Sequence, residues 1–442
     1  MKRTAKTKYG TVKGLQGTDA RITVYKGIPF AAPPTGNRRF RAPEPPEKWD
    51  GVKDAFAFGP VSVQDTPGLG DDIYCREWHV DPDIPMDEDC LYLNIWTPAK
   101  DAGEKLPVFV WFFGGGYQWG YTAEMEFDGE RLAARGVIVV SVNYRLGVLG
   151  FLSHPEITKE APEAPGNFGL LDQQAGLKWV YENISAFGGD PERITIGGQS
   201  AGGNSVANQL ACAGNRHMIQ GAVIYSGIIR FPEEEKDSDL FDPPSLSEAE
   251  KRGQDFFSFL GVKTLEEARQ LDAFKIRDRY AEYRKDHPFF ANIIDGRFCT
   301  EDPYDAFMSG NCAGVPVISG NTSDEFIING VNIVERSVMT VFDKRLENDR
   351  DAKLFYYTFS ADIPGEDDPG CFHSCDLWFF FETLMKCRRP FEGHHFELAG
   401  RMCDYIANFV KNGDPNGKNR FDKPLPLWER YTSEKKNGMI FQ

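Results

Sequence analysis

The sequence predicts an α/β fold in which a central, mostly parallel twisted sheet is flanked by helices. Short apolar runs recur along the chain and are continuously hydrophobic, as strands buried on both faces of a sheet require. Segments with apolar residues three or four positions apart, the spacing of an amphipathic helix, stand between them. A chain that alternates strand and helix in this way usually forms a parallel sheet.

The first two predicted strands form an N-terminal hairpin, and the others follow it along the chain. They cover residues 11–13, 22–26, 91–96, 108–113, 137–142, 194–196, 222–225, 315–318 and 354–359. One predicted helix places Leu171, Ala175 and Trp179 on one face. A second helix runs from about Leu398 to Phe409 and ends before Gly413, where glycine permits a left-handed cap.

Length and charge restrict the class of protein. The 442 residues provide a sizeable core, and we expect one domain over 1–442 with a charged, helix-like insertion at 228–290 that forms a small cap. The net charge of −16 disfavours nucleic acid and anionic membrane surfaces as partners. A small-molecule partner is therefore expected, and the sequence gives no oligomeric state.

The N-terminus and the cysteines predict a cytoplasmic protein. Met1–Lys8 is basic, but no apolar signal region follows it, and no apolar run is long enough to span a bilayer. The nine cysteines form no CxxC pair, so most should be free thiols. Cys75 and Cys90 bracket a polar loop and are candidates for a disulfide only in a secreted protein.

The motif from Gly198 to Gly202, with Ser200 at its centre, is the strongest candidate for chemistry. It follows the β-branched run 194–196 and leads into a helical segment. A strand that stops at G-x-S-x-G and restarts as a helix is typical of a nucleophile elbow, which lifts the serine hydroxyl into a cleft. The helix that follows offers free N–H groups at its N-terminus.

A serine nucleophile needs a base and an orienting acid, which follow it in the order Ser, acid, His in hydrolases with an elbow. His373 is the candidate base, because it follows the acidic loop 362–370 and can be aimed into a cleft. The acid should follow the strand 315–318, where Asp324 and Glu325 both qualify. His394 and His395 suggest a metal site, but their spacing fits no zinc motif, so we expect neither metal nor cofactor.

An oxyanion hole needs backbone N–H groups near the developing charge. Gly114-Gly115-Gly116 follows the buried strand 108–113, the position at which elbow hydrolases place a donor loop. The alternative, a flexible turn without function, is less consistent with an elbow in the same chain.

Several segments in order resemble the carboxylesterase type B family, which includes bacterial para-nitrobenzyl esterases and animal cholinesterases. They are residues 27–31, 36–40, 88–94, 143–147, 166–173, 187–191, 197–203, 225–227 and 413–416, together with Val315-Pro316, Gly320 and Asp324-Glu325. The resemblance implies an α/β-hydrolase fold, ester hydrolysis, a triad of Ser200, Glu325 and His373, and oxyanion donors on Gly115, Gly116 and Ala201. It also implies two structural ion pairs, Arg39 with Glu88 and Arg145 with Asp172.

The chain departs from this family in three places. Phe113 precedes the glycine triplet where the family usually has His or Tyr, so packing should hold the loop. Ser62 stands where the family has the first cysteine of a disulfide. The segment between Glu325 and His373 is about half the family's usual length, which affects the mouth of the cleft and hence the substrate.

The predicted function is a serine carboxylesterase that hydrolyses short-chain or aryl esters through an acyl-enzyme. Two alternatives stay open: a non-catalytic, cholinesterase-like binding protein on the same fold, and an acyltransferase that uses the same triad. Tyr117, Trp119 and Trp378 lie next to catalytic segments and are expected to line an aromatic pocket, although ordinary core packing explains them equally well.

Overall fold

A computed structural model of the chain describes residues 3–232 and 242–442. Within these ranges the strands are β1 (Thr4–Lys6), β2 (Thr11–Lys13), β3 (Leu15–Gln16), β4 (Thr23–Pro29), β5 (Val52–Asp54), β6 (Tyr92–Thr97), β7 (Leu106–Phe112), β8 (Ile138–Val142), β9 (Gly189–Gln199), β10 (Gly221–Tyr225), β11 (Val317–Thr322), β12 (Ile327–Ile328), β13 (Val331–Asn332), β14 (Leu354–Phe359) and β15 (Met439–Phe441).

The helices in the same ranges are α1 (Ile73–Glu77), α2 (Glu130–Ala133), α3 (Gly147–Phe151), α4 (Pro155–Glu160), α5 (Phe168–Asn183), α6 (Ala201–Ala211), α7 (Leu246–Leu260), α8 (Leu265–Gln270), α9 (Ala273–Tyr283), α10 (Pro303–Ser309), α11 (Ile333–Asn348), α12 (Leu377–Phe380) and α13 (Gly393–Asn412). Helix α13 ends where predicted, with Gly413 in the left-handed region at φ 64°.

A ten-stranded sheet forms the centre of the described structure, in the order β15-β14-β11-β10-β9-β7-β8-β6-β4-β3. Neighbours from β15 to β8 pair in parallel, and the remaining pairs to β3 are antiparallel. This mostly parallel sheet flanked by helices confirms the predicted fold class.

The sheet separates two hydrophobic clusters, because successive side chains of a strand point to opposite faces. In β7, Phe109 and Trp111 belong to one cluster, whereas Val108, Val110 and Phe112 belong to the other. Strand β7 is therefore buried on both faces, which explains its continuous hydrophobicity.

The N-terminal hairpin was predicted with the wrong partner. Strand β2 pairs with β1 and β5 in a separate three-stranded sheet, while Leu15 of β3 pairs with Val24 of β4. The chain changes sheet at Gly14, where a Cβ atom would lie 2.6 Å from the Val24 carbonyl oxygen. Glycine at this position allows the two backbones to approach closely.

Helices α7 to α9 occupy the predicted insertion at 228–290, of which residues 233–241 lie outside the described residues. Arg277 and Asp278 of α9 line the large cavity that contains Ser200. The assignment of this segment as a cap, and of the whole chain as one domain, stays a prediction.

Candidate active site

Ser200 lies in a strained turn between β9 and α6. Its φ and ψ are 55° and −124°, which a non-glycine residue rarely adopts. A Cβ atom at Gly198 would lie 2.2 Å from the Gly202 carbonyl oxygen, and one at Gly202 would lie 2.1 Å from the Phe112 oxygen. Glycine at both positions lets strand and helix approach closely enough to hold this turn.

Glu325 lies on the loop after β11, and its side chain is buried. Its Oε1 accepts hydrogen bonds from the Ser226 hydroxyl at 2.7 Å and the Thr322 N–H at 2.8 Å. Its Oε2 is hydrogen-bonded to Nδ1 of His373. Because an ionised carboxylate only accepts, Nδ1 carries the proton and Nε2 presents a lone pair. Glu325 thus fixes the tautomer that a general base requires.

The Nε2 atom of His373 faces the elbow. It lies 3.1 Å from Nε2 of Gln199, the residue before Ser200, and accepts a hydrogen bond from that amide. The Tyr74 hydroxyl donates to the His373 carbonyl oxygen at 3.0 Å, which holds the loop in place. Ser200 and His373 line the same cavity, although no hydrogen bond joins their side chains in the described structure.

The three predicted oxyanion donors present N–H groups without a hydrogen-bond acceptor in the described structure. Gly115 and Gly116 follow β7 with φ of 101° and 61°, and the Gly115 oxygen accepts from Trp119 N–H at 3.0 Å. Ala201 begins α6, so its N–H has no partner within the helix. Across the described residues, none of these three N–H groups donates a hydrogen bond.

Packing and one hydrogen bond hold the loop at Phe113. The Phe113 ring is stacked on Tyr144, with centroids 4.3 Å apart. The Tyr144 hydroxyl donates to the Phe113 carbonyl oxygen at 2.7 Å. The Phe113 side chain has no hydrogen-bond donor, and Tyr144 supplies the hydrogen bond that fixes the loop instead.

The cavity above Ser200 has a volume of about 690 Å³ and includes Trp119 in its wall. Tyr117 and Trp378 do not line it. Both are fully buried, and the Tyr117 hydroxyl donates to Asn204 at 2.9 Å. The loop turns between these two positions. The Trp119 side chain therefore reaches the cavity, whereas Tyr117 packs in the core.

Asp376 is a buried acid three residues after His373. Burial raises its pKa to about 7, the Glu325 carboxylate adds to the rise, and a hydrogen bond from the Tyr357 hydroxyl at 2.7 Å opposes it. The sequence patterns missed Asp376, Gln199 and Ser226 as residues around the predicted triad. Only its place beside Ser200 could have pointed to Gln199.

A possible metal cluster lies at the start of α13. Ligand atoms of Asp362, His394 and His395 lie within 4.8 Å of one another. However, Nδ1 of His395 accepts a hydrogen bond from the Glu392 N–H at 2.9 Å, so Nε2 carries the proton of the neutral ring. That nitrogen lies 3.4 Å from the Asp362 carboxylate. The arrangement suits a His–Asp contact better than metal ligation, which needs a lone pair on Nε2.

Both ion pairs that the resemblance implied are present. Arg39 pairs with Glu88 at 2.5 Å and Arg145 with Asp172 at 2.7 Å. The Ser62 hydroxyl accepts from the Leu146 N–H at 3.1 Å. All nine cysteines are unpaired, including Cys75 and the fully buried Cys90.

Fold and site together define an α/β hydrolase with an elbow serine and a histidine–glutamate pair. The carboxylesterase family model matches residues 2–358 and 333–442. The chain therefore belongs to the carboxylesterase family.

Named relatives agree with this assignment. The chain is 40% identical over 329 residues to the para-nitrobenzyl esterase of Bacillus subtilis, covering 72% of this chain and 62% of that protein. It is 36% identical to the fumonisin B1 esterase of Sphingopyxis macrogoltabida over 72% of this chain and 55% of that protein. It is 34% identical to human cocaine esterase over 96% of this chain and 84% of that protein. The match thus spans less than two thirds of the first two relatives.

Solved structures share the whole fold. A para-nitrobenzyl esterase structure superposes with a TM-score of 0.82 at 28% identity, covering 100% of this chain and 96% of that one. The carboxylesterase EST55 of Geobacillus stearothermophilus superposes with a TM-score of 0.81 at 29% identity, with the same coverage.

In the described ranges, no helix combines the length and the hydrophobicity needed to cross a bilayer.

Proposed function

We propose that the chain is a serine carboxylesterase that hydrolyses carboxylic esters through an acyl-enzyme. The observation that carries the proposal is the arrangement around one cavity: an elbow serine, a histidine oriented by a buried glutamate, and three unpaired backbone N–H groups. These are the parts that acyl transfer needs.

The reaction begins when Ser200 attacks the ester carbonyl carbon and His373 Nε2 takes the hydroxyl proton. Because Nε2 accepts from Gln199 in the resting site, the imidazole must exchange that contact for Ser200. The buried Glu325 carboxylate stabilises the resulting imidazolium. The N–H groups of Gly115, Gly116 and Ala201 stabilise the oxyanion.

The tetrahedral intermediate then collapses. The bond to the alcohol oxygen breaks, and His373 returns its proton to that oxygen. A water molecule next attacks the acyl-enzyme, gives its proton to His373 and releases the acid, while the Ser200 oxygen recovers the proton. The same groups therefore serve both half-reactions.

The decisive experiment compares hydrolysis of a short-chain p-nitrophenyl ester by the wild type and by Ser200→Ala. We expect turnover by the wild type and a loss of more than about 10⁴-fold in the variant. Equal turnover by the two proteins would contradict the proposal, and so would a folded wild type that hydrolyses no ester in a broad panel.

Two other functions use the same scaffold. A binding protein would not need the His373–Glu325 hydrogen bond or the free N–H groups, so the site favours an enzyme. An acyltransferase would use the same triad, because the triad does not select the acceptor. Product analysis with an added alcohol separates the two reactions: an ester product as the main species would support transfer.

Short-chain and aryl esters are the proposed substrates, with Trp119 as the aromatic contact. A cytoplasmic location stays a proposal, supported by the unpaired state of the nine cysteines. Cell fractionation with an antibody to the chain would test it, and recovery in a secreted fraction would contradict it.

A further inference from the structure

Two thiols flank the predicted base. Cys371 and Cys375 lie on either side of His373 in the sequence, and their sulfur atoms are hydrogen-bonded to each other. Ser374 has a φ of 80°, and the Cys375 N–H donates to the Phe372 carbonyl oxygen at 3.1 Å, so the chain makes a tight turn around His373. This turn brings together two thiols that have no part in the proposed reaction.

The hydrogen bonds of the pair give the two sulfur atoms different roles. The Cys371 S–H donates to the Ala361 carbonyl oxygen at 2.7 Å, and the Cys375 S–H donates to the Cys371 sulfur. The bond from Cys375 lowers the pKa of Cys371 below its ordinary value, whereas burial raises the pKa of Cys375 well above its own. Because the thiolate is the reactive form, Cys371 is the attacking thiol and Cys375 the resolving one.

We propose that Cys371 and Cys375 are a modification site, which a small peroxide oxidises to a disulfide that lowers turnover by displacing His373. The disulfide is independent of the proposed esterase function, whereas its effect on turnover rests on that function. His373 is thus the link between the oxidation of the pair and the chemistry of the cavity.

The oxidation balances with hydrogen peroxide as the oxidant. The Cys371 thiolate attacks one peroxide oxygen, the O–O bond breaks, and the other oxygen leaves as water after taking the thiol proton. Cys371 is then a sulfenic acid. The Cys375 sulfur attacks it, the S–O bond breaks, and the oxygen leaves as a second water with the Cys375 proton. The two thiols lose two electrons, and the peroxide gains them.

Access to the pair selects the oxidant. Cys371 is 5% exposed and Cys375 is 1% exposed, so bulky disulfides and protein thiols cannot reach the sulfur atoms. His373 and Ser374 line the cavity on one side of the pair, and the exposed residues 365–368 precede it on the other. Solvent therefore approaches from both sides, and hydrogen peroxide is small enough to follow it. The low exposure predicts a slow reaction.

Closing the disulfide must move the backbone around His373. Bonded sulfur atoms are closer than hydrogen-bonded ones, so the two cysteines are drawn together. Cys371 is held on its own side, because its N–H donates to the Asp324 carboxylate at 2.7 Å and its carbonyl oxygen accepts from the Asp324 N–H at 3.2 Å. The movement therefore falls on residues 372–375. A misplacement of about 1 Å can lower a rate by about 100-fold, so we expect kcat to fall by about tenfold or more.

Mass spectrometry tests the disulfide itself. The protein is treated with excess hydrogen peroxide, unfolded, alkylated and digested with trypsin, which cleaves after Lys353 and Lys386. The peptide of residues 354–386 contains Cys371 and Cys375 and no other cysteine. We expect this peptide to be lighter than the reduced one by two hydrogen atoms and to carry no alkyl group. Dithiothreitol before alkylation should restore both labels. A peptide that takes two alkyl groups after peroxide would overturn the proposal.

Activity with a p-nitrophenyl ester tests the consequence. As the disulfide forms, kcat should fall by about tenfold or more, and dithiothreitol should restore it. Cys371→Ser keeps a donor for Ala361 but cannot form the disulfide, so peroxide should leave its kcat unchanged. Cys75→Ser is the matched control, because Cys75 is more exposed and lies in the wall of the cavity. It should show the same reversible loss as the wild type. An equal reversible loss in Cys371→Ser would overturn the proposal.

A second variant keeps the proposal testable if Cys371→Ser does not fold. Cys375→Ser leaves the attacking thiol without its resolving partner, so peroxide should leave Cys371 as a sulfenic acid. Dimedone, which reacts with sulfenic acids, should then label Cys371 more strongly than in the wild type. Equal labelling of the two proteins would contradict the role of Cys375.

The two readouts separate this proposal from the esterase function. If no ester is hydrolysed before peroxide is added but the disulfide forms, the esterase proposal fails and the modification site stands. If ester is hydrolysed but no disulfide forms, the modification site is overturned and the esterase stands. A disulfide that leaves kcat unchanged would overturn the displacement of His373.

Discussion

The side-chain nitrogen of Gln199 lies 3.1 Å from Nε2 of His373, the atom that accepts the Ser200 proton in the proposed reaction. In the structure, Nε2 of His373 is therefore hydrogen-bonded to the neutral amide of Gln199, and Nδ1 is hydrogen-bonded to Glu325. The base is oriented before substrate arrives, but its lone pair is shared with a group that takes no part in the chemistry.

The first prediction concerns this contact. If Ser200 replaces Gln199 as the partner of Nε2 during the reaction, the amide is dispensable. Gln199→Met, which has similar length and no donor, should change kcat/KM for a p-nitrophenyl ester by less than about fivefold, since one neutral hydrogen bond contributes only about 1 kcal/mol. A loss of about 100-fold would show instead that Gln199 orients the base in the transition state.

The second prediction separates two adjacent acids. Glu325→Gln should lower kcat by about 10⁴-fold, because an amide neither selects the Nδ1–H tautomer nor stabilises the imidazolium. Asp324→Asn is the matched control. Asp324 accepts a hydrogen bond from the Cys371 N–H at 2.7 Å and does not contact the imidazole, so its kcat should stay within about tenfold of the wild type. The reverse order of the two losses would assign the orienting role to Asp324.

The third prediction concerns the oxyanion loop. A Cβ atom at Gly115, where φ is 101°, would lie 2.3 Å from the Trp119 carbonyl oxygen. Gly115→Ala should therefore displace the donor N–H groups and lower kcat by about 10²–10³-fold with little change in KM.

Gly136→Ala is the control for backbone strain. Its φ is 84°, but the nearest atom to a new Cβ is 3.9 Å away and Gly136 does not line the cavity. Thermal unfolding should show that this variant loses stability while the folded protein keeps its kcat. Equal losses of kcat in the two variants would argue that strain alone explains the effect of Gly115→Ala.

The fourth prediction concerns stability and pH. Burial raises the pKa of Asp376 from 3.8 to about 7, so between these values the folded state holds a proton that the unfolded state has released. The contribution of Asp376 to the free energy of unfolding is present below pH 3.8 and is lost as the pH rises to about 7. The slope reaches about 1.4 kcal/mol per pH unit.

Urea unfolding at about pH 5 and about pH 8 measures this contribution. Relative to the wild type, Asp376→Asn should lose less stability between the two pH values, because the amide has no proton to release. Identical losses in both proteins would mean that Asp376 is ionised in the folded state at both pH values.

Local patterns predicted most strands of the central sheet and proposed the members of the site. The elbow at Ser200 and the strand before Glu325 are local features, so spacing and chain order were enough to propose them. Choosing Glu325 over Asp324 required the resemblance, because adjacent acids differ only in which one faces the histidine. The choice of Glu325 and the assignment of the oxyanion donors are tested by the experiments described above.

Features that depend on contacts between segments distant in the sequence could not be predicted from local patterns. Thr11–Lys13 pairs with Thr4–Lys6 and also with Val52–Asp54, a segment distant in the sequence. Trp119 and Tyr117 are two positions apart, but only the first lines the cavity, because the loop turns between them. The burial of Glu126 was not predictable either, since an isolated glutamate in the sequence predicts a solvated side chain.

The central claim is that Ser200 is a nucleophile activated within this cavity. The most direct test is to label the protein with a fluorophosphonate probe and locate the adduct by mass spectrometry of its peptides. We predict a single adduct on Ser200, formed slowly or not at all in His373→Ala and absent from Ser200→Ala. No adduct on folded wild-type protein, or an adduct on another residue that survives Ser200→Ala, would contradict the account.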